Sequence, residues 1–328
     1  MTRDPVDPQI RQFIREVSAA FARFPGFDLG SPVEARRIAE QVRAPWRKGG
    51  PAMLSTSERH VPVNGGSLRI RVYDPGPLGI KPALVYLHGG GWTIFSIDTH
   101  DRVMREYAAG AAVVVIGVDY PLSPEARFPV ALEENVALIR WLADHAEEIG
   151  VDPDHIAVGG DSAGANLALA TALKLRDSAS PADRSLVAAL LLNYGAFDTH
   201  SSPEAALKFG AKGAMLEHEE MQRFWANYLR DPADAESPLA CPLRANVAGL
   251  PPTFLTIPPL DLLAEQSVAL AAKLHEANVP VRAEIYEGAT HSFLEAMSIS
   301  TLAQRALADA SHWLRQTMAA RVSAAESL

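Results

Sequence analysis

Apolar residues recur at a helical interval near the start of the chain, at Ile10, Phe13, Ile14, Val17 and Phe21. The spacing predicts an amphipathic helix. Pro25-Gly26 interrupts it, and a second helix is expected from Pro32, just inside the capping residue Ser31. From residue 58 the period changes. Residues 58–63 and 67–73 flank Asn64-Gly65-Gly66, a hairpin signal. Beyond it, strand-like runs at 83–88, 113–120, 155–159, 186–192, 253–257 and 281–286 alternate with helical stretches. Several runs are continuously apolar and rich in Val, Ile and Leu, as strands buried on both faces are. Residues 131–143 place Leu132, Val136, Ile139 and Leu142 on one helical face, and 163–176, 264–277 and 301–318 also read as helices.

A hairpin followed by strand–helix alternation predicts an α/β architecture: an eight-stranded, mostly parallel sheet flanked by helices. Residues 198–248 break the alternation, holding one helical piece at 217–229 between Pro-containing loops. The expected division is an N-terminal helical cap segment at 1–50, a core of 51–197 and 249–328, and a cap insertion at 198–248. The chain has 328 residues, 48% hydrophobic, enough for one large core. Its net charge of −9 repels phosphate backbones, and no Lys/Arg run offsets it, which argues against a nucleic-acid partner. The single cysteine, Cys241, leaves no intrachain disulfide and points to a reducing compartment. The opening MTRDPVDPQI lacks the basic-then-apolar signature of a signal peptide, and no apolar run nears the roughly 18 residues that span a bilayer. A cytoplasmic protein without a membrane span is expected.

Gly160-Asp161-Ser162-Ala163-Gly164 fits G-x-S-x-G between an expected strand and an expected helix. A sharp strand-to-helix turn strains the serine backbone, and glycines two before and two after remove clashing side chains. The turn also sets Ser162 at a helix N-terminus, where the dipole favours developing negative charge. His88-Gly89-Gly90-Gly91-Trp92 follows the strand ending near Leu87. Bare glycine amides there suit an oxyanion, so the expected donors are the N–H groups of Gly90, Gly91 and Ala163, with Gly89 as a further candidate. A serine hydroxyl needs a base. His291 is the candidate, on a loop at the carboxyl end of a strand, where open α/β sheets place their sites. His275 and His312 fall inside expected helices, and His88 is expected to hold its loop's shape. Asp261 is the expected orienting acid, giving the chain order Ser162, Asp261, His291. Its rivals are Asp198 and Glu265; Asp161 is too close to the nucleophile. His218-Glu219-Glu220-Met221-Gln222 begins like H-E-x-x-H but puts Gln222 at the second ligand position, so its acidic run is expected on a solvated helix face and no metal site is expected. Trp92, Asp161, Tyr194, Phe209 and Phe224 are the candidates for substrate contacts.

With HGGGW at 88–92, DTHD at 98–101, VDYPLSPEARFPVALEE at 118–134, GDSAGANLA at 160–168, D-x-L at 261–263 and HSF at 291–293, the sequence resembles the bacterial hormone-sensitive-lipase-like carboxylesterases, family IV esterases of the α/β-hydrolase superfamily. The resemblance covers residues of roughly 55–295. It implies a Ser-His-Asp triad, an oxyanion hole from the glycine motif and the elbow, a helical cap, no cofactor, and a small-molecule ester of short to medium acyl chain as substrate. Homodimers are common among such esterases. Pro121, Asn193-Tyr194-Gly195 and Ile257-Pro258-Pro259-Leu260 depart from the usual pattern around the acyl pocket and the acid loop. The same parts serve amidases, carbamate hydrolases, lactonases and acyltransferases. A ligand receptor on this scaffold would lack the histidine that is present here as His291.

Overall fold

Alternation of buried side chains along continuous apolar strands builds a sheet with a core on each face. The computed structural model describes residues 4–325 except Gly65 and Leu78. The strands are β1 (Ser55–Val63), β2 (Gly66–Asp74), β3 (Lys81–Leu87), β4 (Val114–Val118), β5 (Val151–Asp161), β6 (Ala189–Asn193), β7 (Thr253–Ile257) and β8 (Val281–Ile285). They form one eight-stranded sheet in the order β1-β2-β4-β3-β5-β6-β7-β8. β1 pairs antiparallel with β2, and β2 with β4; every later pairing is parallel. Gly65, at the centre of the expected hairpin turn, lies outside the described residues, but the register runs to Val63 opposite Gly66.

The helices are α1 (Pro8–Phe21), α2 (Pro32–Arg43), α3 (Asp101–Ala111), α4 (Val130–His145), α5 (Ala163–Arg176), α6 (Pro203–Phe209), α7 (His218–Tyr228), α8 (Ala264–Glu276) and α9 (Thr301–Ala325). On one sheet face Ala83, Val85 and Leu87 of β3 pack with Leu132 and Ile139 of α4, Leu167 of α5 and Leu270 of α8. On the other face Leu84 and Tyr86 pack with Met104 and Tyr107 of α3 and Leu307 and Leu314 of α9. Ile10, Phe13 and Val17 of α1 join this second core. Burial of each Val, Leu, Ile, Phe or Met among these contributes about 1.5–3 kcal/mol. Ser31 sits at the cap position of α2 but makes no side-chain capping bond; only its carbonyl accepts, from Ala35 N–H. Residues 186–188 precede β6 rather than opening it, because a 3₁₀ turn at Asp183–Ser185 still holds Leu186.

The strand order reverses between β3 and β5. The chain leaves β3 for β4 on one side and returns to β5 on the other, so the loops after these two neighbours diverge and leave a crevice. The glycine run begins immediately after β3, and Ser162 immediately follows β5.

Candidate active site

Ser162 has φ 53° and ψ −117°, a conformation rarely adopted by an L residue. The flanking glycines explain how the turn closes. A Cβ at Gly164 would overlap the Leu87 carbonyl oxygen, and one at Gly160 would overlap the same oxygen. β3 and the start of α5 therefore approach at backbone distance. Ser162 N–H donates to Asn193 O at 2.9 Å, fixing the elbow to β6.

His291 arrives on the loop after β8, buried at 6% exposure. Its Nε2 lies 3.0 Å from Ser162 Oγ, and its Nδ1 lies 2.8 Å from Asp261 Oδ2. The carboxylate only accepts, so Nδ1 carries the proton and Nε2 offers its lone pair to the serine hydroxyl. The other Asp261 oxygen accepts Leu263 N–H at 3.1 Å, which holds the carboxylate in place. Tyr194 packs edge-on against the imidazole with ring centroids 5.1 Å apart. Burial opposes the charged imidazolium of His291, but the Asp261 carboxylate outweighs it, with Asp161 and Glu220 adding in the same sense, so the His291 pKa is raised. The rival acids are engaged elsewhere. Asp198 pairs with Arg244 at 2.9 Å, and Glu265 accepts Ser202 N–H at 2.6 Å.

Gly90 and Gly91 have φ of 110° and 56°, in a loop that glycine forms most easily. Among the described residues the N–H groups of Gly90, Gly91 and Ala163 meet no acceptor. Gly89 does not join them, because its N–H donates to Asp161 Oδ1 at 3.1 Å. Asp161 also accepts from Tyr86 O–H at 2.9 Å and lies 3.3 Å from His100 Nε2. These bonds brace the elbow against the glycine loop, and Asp161 also borders the cavity beside Ser162. Burial opposes its ionisation, but His100 and the Tyr86 hydroxyl overcome this and lower its pKa. His100 is held at Nδ1 by Thr99 Oγ1, 2.9 Å away, whose hydroxyl donates to Ser96 O. His88 stacks on Tyr120 and hydrogen-bonds Gly89 O at 2.7 Å; burial pushes its pKa down to about 3, so it is neutral.

A cavity of about 60 Å³ adjoins Ser162, Gly90, Gly91 and His291. Phe224 of α7 forms part of its wall and presses on Gly91, where a Cβ would overlap the ring. Phe209 instead borders an outer cleft of about 310 Å³ that reaches His291 and Asp261. Trp92 is turned away and stacks on Tyr228, with centroids 4.2 Å apart, so it packs α7 onto the core. Tyr194 supports the histidine instead of lining the cavity. Glu219 is exposed, but Glu220 is half-buried and faces the cavity, which corrects the expectation of a solvated acidic run. Burial raises the Glu220 pKa to about 7. Arg43 of α2 and Glu295 complete the polar wall. Sequence reasoning missed Arg43, Glu220 and Glu295, since each lies on an element whose rotation is set by packing.

His100, Asp161 and Glu295 bring ligand atoms within 4.8 Å of one another. Arg43 lies 2.8 Å from Glu295 and already supplies positive charge at that cluster, so the residues present fit a guanidinium better than a metal ion. No helix among the described residues is long and apolar enough to cross a membrane.

A sequence profile of the alpha/beta hydrolase fold matches residues 84–295. Acetyl esterases of Salmonella dublin and Salmonella enteritidis are 37% identical over 274 residues, covering 83% of both chains. Among solved structures, a hyperthermophilic esterase from the archaeon Pyrobaculum calidifontis superposes with TM-score 0.86 at 30% identity, covering 95% of this chain and 99% of its own. A thermostable carboxylesterase cloned from a metagenomic library gives 0.83 at 35% identity, covering 88% and 98%. A thermostable esterase from Pseudomonas putida gives 0.88 at 30%, covering 97% and 99%. With a hinge of backbone contacts between β3 and α5, and relatives spanning most of the chain, this protein belongs to the alpha/beta hydrolase family.

Proposed function

We propose that this protein is a serine carboxylesterase that hydrolyses short-chain acyl esters through Ser162, His291 and Asp261. The observation that carries the reading is the unbroken relay from Ser162 Oγ, 3.0 Å from His291 Nε2, to His291 Nδ1, 2.8 Å from Asp261 Oδ2. His291 takes the Ser162 proton as Oγ attacks the ester carbonyl carbon. The developing oxyanion is met by the Gly90, Gly91 and Ala163 amides, which cost no reorganisation because the loop already holds them free. His291 then gives the proton to the leaving alcohol, and the acyl group stays on Ser162. Water, deprotonated by His291, releases the acid by the same path. Asp261 keeps the tautomer and stabilises the charged imidazole.

Residues 1–50 and 198–248 act in this reading as a cap, since Phe21 and Arg43 from the first and Met215, Glu220 and Phe224 from the second wall the cavity. The cavity is small, about 60 Å³, which favours a short acyl group, in keeping with the acetyl esterase names of the Salmonella relatives. Cytoplasmic residence, read from the sequence, and a homodimer, by resemblance, belong to the same proposal, and cell fractionation and light scattering read them directly. Ser162→Ala is expected to cut hydrolysis of p-nitrophenyl acetate by at least about 10⁴-fold. Rates across an acyl series are expected to fall steeply beyond butanoate. Turnover undiminished in Ser162→Ala would remove the nucleophile, and a palmitate optimum would remove the short-chain assignment.

A further inference from the structure

The cavity beside Ser162 has an ionic wall that the ester chemistry leaves unused. Arg43 and Glu295 are 3% and 4% exposed, and both border this cavity. The Arg43 guanidinium is held between Phe13 and Phe95, its carbon 5.5 Å and 4.9 Å from their ring centroids. Nη1 lies 2.8 Å from Glu295 Oε2, but the contact is ionic and not an aligned hydrogen bond. Arg43 Nε and Nη1 and Glu295 Oε1 are all buried without a hydrogen-bond partner. Leaving such groups unpaired is costly, so their retention beside the nucleophile points to a partner that arrives with the substrate.

An unpaired guanidinium nitrogen, Nε, and the unpaired second oxygen of its ion-pair partner match one group in particular. A hydroxyl accepts from the guanidinium and donates to the carboxylate. A carboxylate or phosphate would meet Arg43 but be repelled by Glu295 and Glu220, and an ammonium would meet the reverse. His291 borders both cavities, whereas Ser162, Gly90 and Gly91 border only the inner one. The leaving oxygen takes its proton from His291, and the outer cleft bordered by His291, Asp261 and Thr290 accommodates the alcohol. The acyl substituent then enters the cavity beside Ser162, whose wall includes Gly90, Gly91 and Arg43.

We propose that Arg43 and Glu295 form a specificity subsite for a hydroxyl on the acyl group, so that esters of short hydroxy acids are the preferred substrates. The assignment rests on the carboxylesterase reading above. It is tested by pH-stat rates on two shape-matched pairs: methyl lactate against methyl isobutyrate, and methyl β-hydroxybutyrate against methyl isovalerate. Each rate is divided by the rate of alkaline hydrolysis of the same ester. At least one hydroxy ester is expected to exceed its partner in kcat/KM by about tenfold or more. The ratio is expected to fall to about one in Arg43→Met/Glu295→Met, which replaces the ion pair with apolar chains of similar length. Arg43→Lys is expected to keep part of it. Equal normalised rates in the unaltered enzyme would overturn the proposal, leaving the polar wall to hold water only. A preference that survives in a folded double variant, checked by circular dichroism, would overturn it too; should that variant not fold, the unaltered enzyme and Arg43→Lys decide. Failure of the underlying reading looks different, since no ester of either pair would then be hydrolysed.

Discussion

At Ser162, backbone strain and side-chain chemistry are the same fact. The left-handed turn that aims Oγ at His291 is tolerated because Gly160 and Gly164 let β3 and α5 close on it. In the proposed mechanism Asp261 acts through His291, accepting a hydrogen bond from its Nδ1–H at 2.8 Å. Asp261→Asn would present either an amide donor to Nδ1 or an acceptor without charge, which favours the wrong tautomer and weakens the imidazolium. Its kcat is expected to drop by about 10⁴-fold with KM little changed, measured on p-nitrophenyl acetate at neutral pH. Residues defined by near neighbours in sequence were legible in advance. The elbow glycines, the oxyanion glycines and the chain order of the three polar groups each depend on a local turn or a strand end. Gly89 was not legible, because the acceptor that occupies its N–H, Asp161, is 72 residues away. Nor was Arg43, whose ion-pair partner Glu295 lies on a distant segment of the chain.

At the scale of the element, α7 carries the most information. Expected from the sequence only as a helical piece, it buries Met221, Phe224, Trp225 and Tyr228 at the period of a helix. The period could not tell that Glu220, one residue before Met221, turns toward the cavity while Glu219 stays in water, since the rotation of α7 is set by Phe224 on Gly91 and Tyr228 on Trp92. The orientation has an electrical consequence. The Glu220 carboxylate helps raise the His291 pKa, and it ionises only as pH passes about 7 because burial resists its charge. His291 must be neutral to act as base, so kcat/KM is expected to rise with pH through a midpoint above the ordinary histidine value of about 6.5. Glu220→Gln removes negative charge near the imidazole, makes its proton easier to lose, and is expected to move that limb to lower pH. A pH–rate profile of both proteins checks the sign; an unmoved or upward-shifted limb would separate Glu220 from the histidine.

For the whole molecule, the decisive feature is the reversal of strand order between β3 and β5, which opens one crevice and fills it with the glycine loop and the elbow. Strand–helix alternation made eight strands and a mostly parallel sheet legible, because continuous Val, Ile and Leu runs have few other uses. How the N-terminal helices dock was not legible, since it depends on contacts between distant segments. Arg36 of α2 donates to Thr93 O at 2.8 Å and to Ser123 O at 2.9 Å, and Ser96 donates to Glu40 at 2.6 Å, so α2 clamps the loop that carries the oxyanion glycines. Phe13 of α1 sits at the join, fully buried, edge-on to Trp46 at 4.6 Å and under Arg43. Phe13→Ala is expected to cost about 3–5 kcal/mol of stability, read as a lower urea midpoint, and to lower activity as the clamp loosens. A cost under about 1 kcal/mol would mean that these helices are not part of the cooperative core.

The central claim is that one serine among the many in this chain is activated by the histidine 129 residues downstream. Reaction with a fluorophosphonate, followed by intact mass and peptide mapping, tests it most directly. One adduct per chain on the peptide bearing Ser162 is predicted, absent in Ser162→Ala and strongly slowed in His291→Ala. An adduct on another residue, or none on folded protein that still hydrolyses esters, would contradict the account.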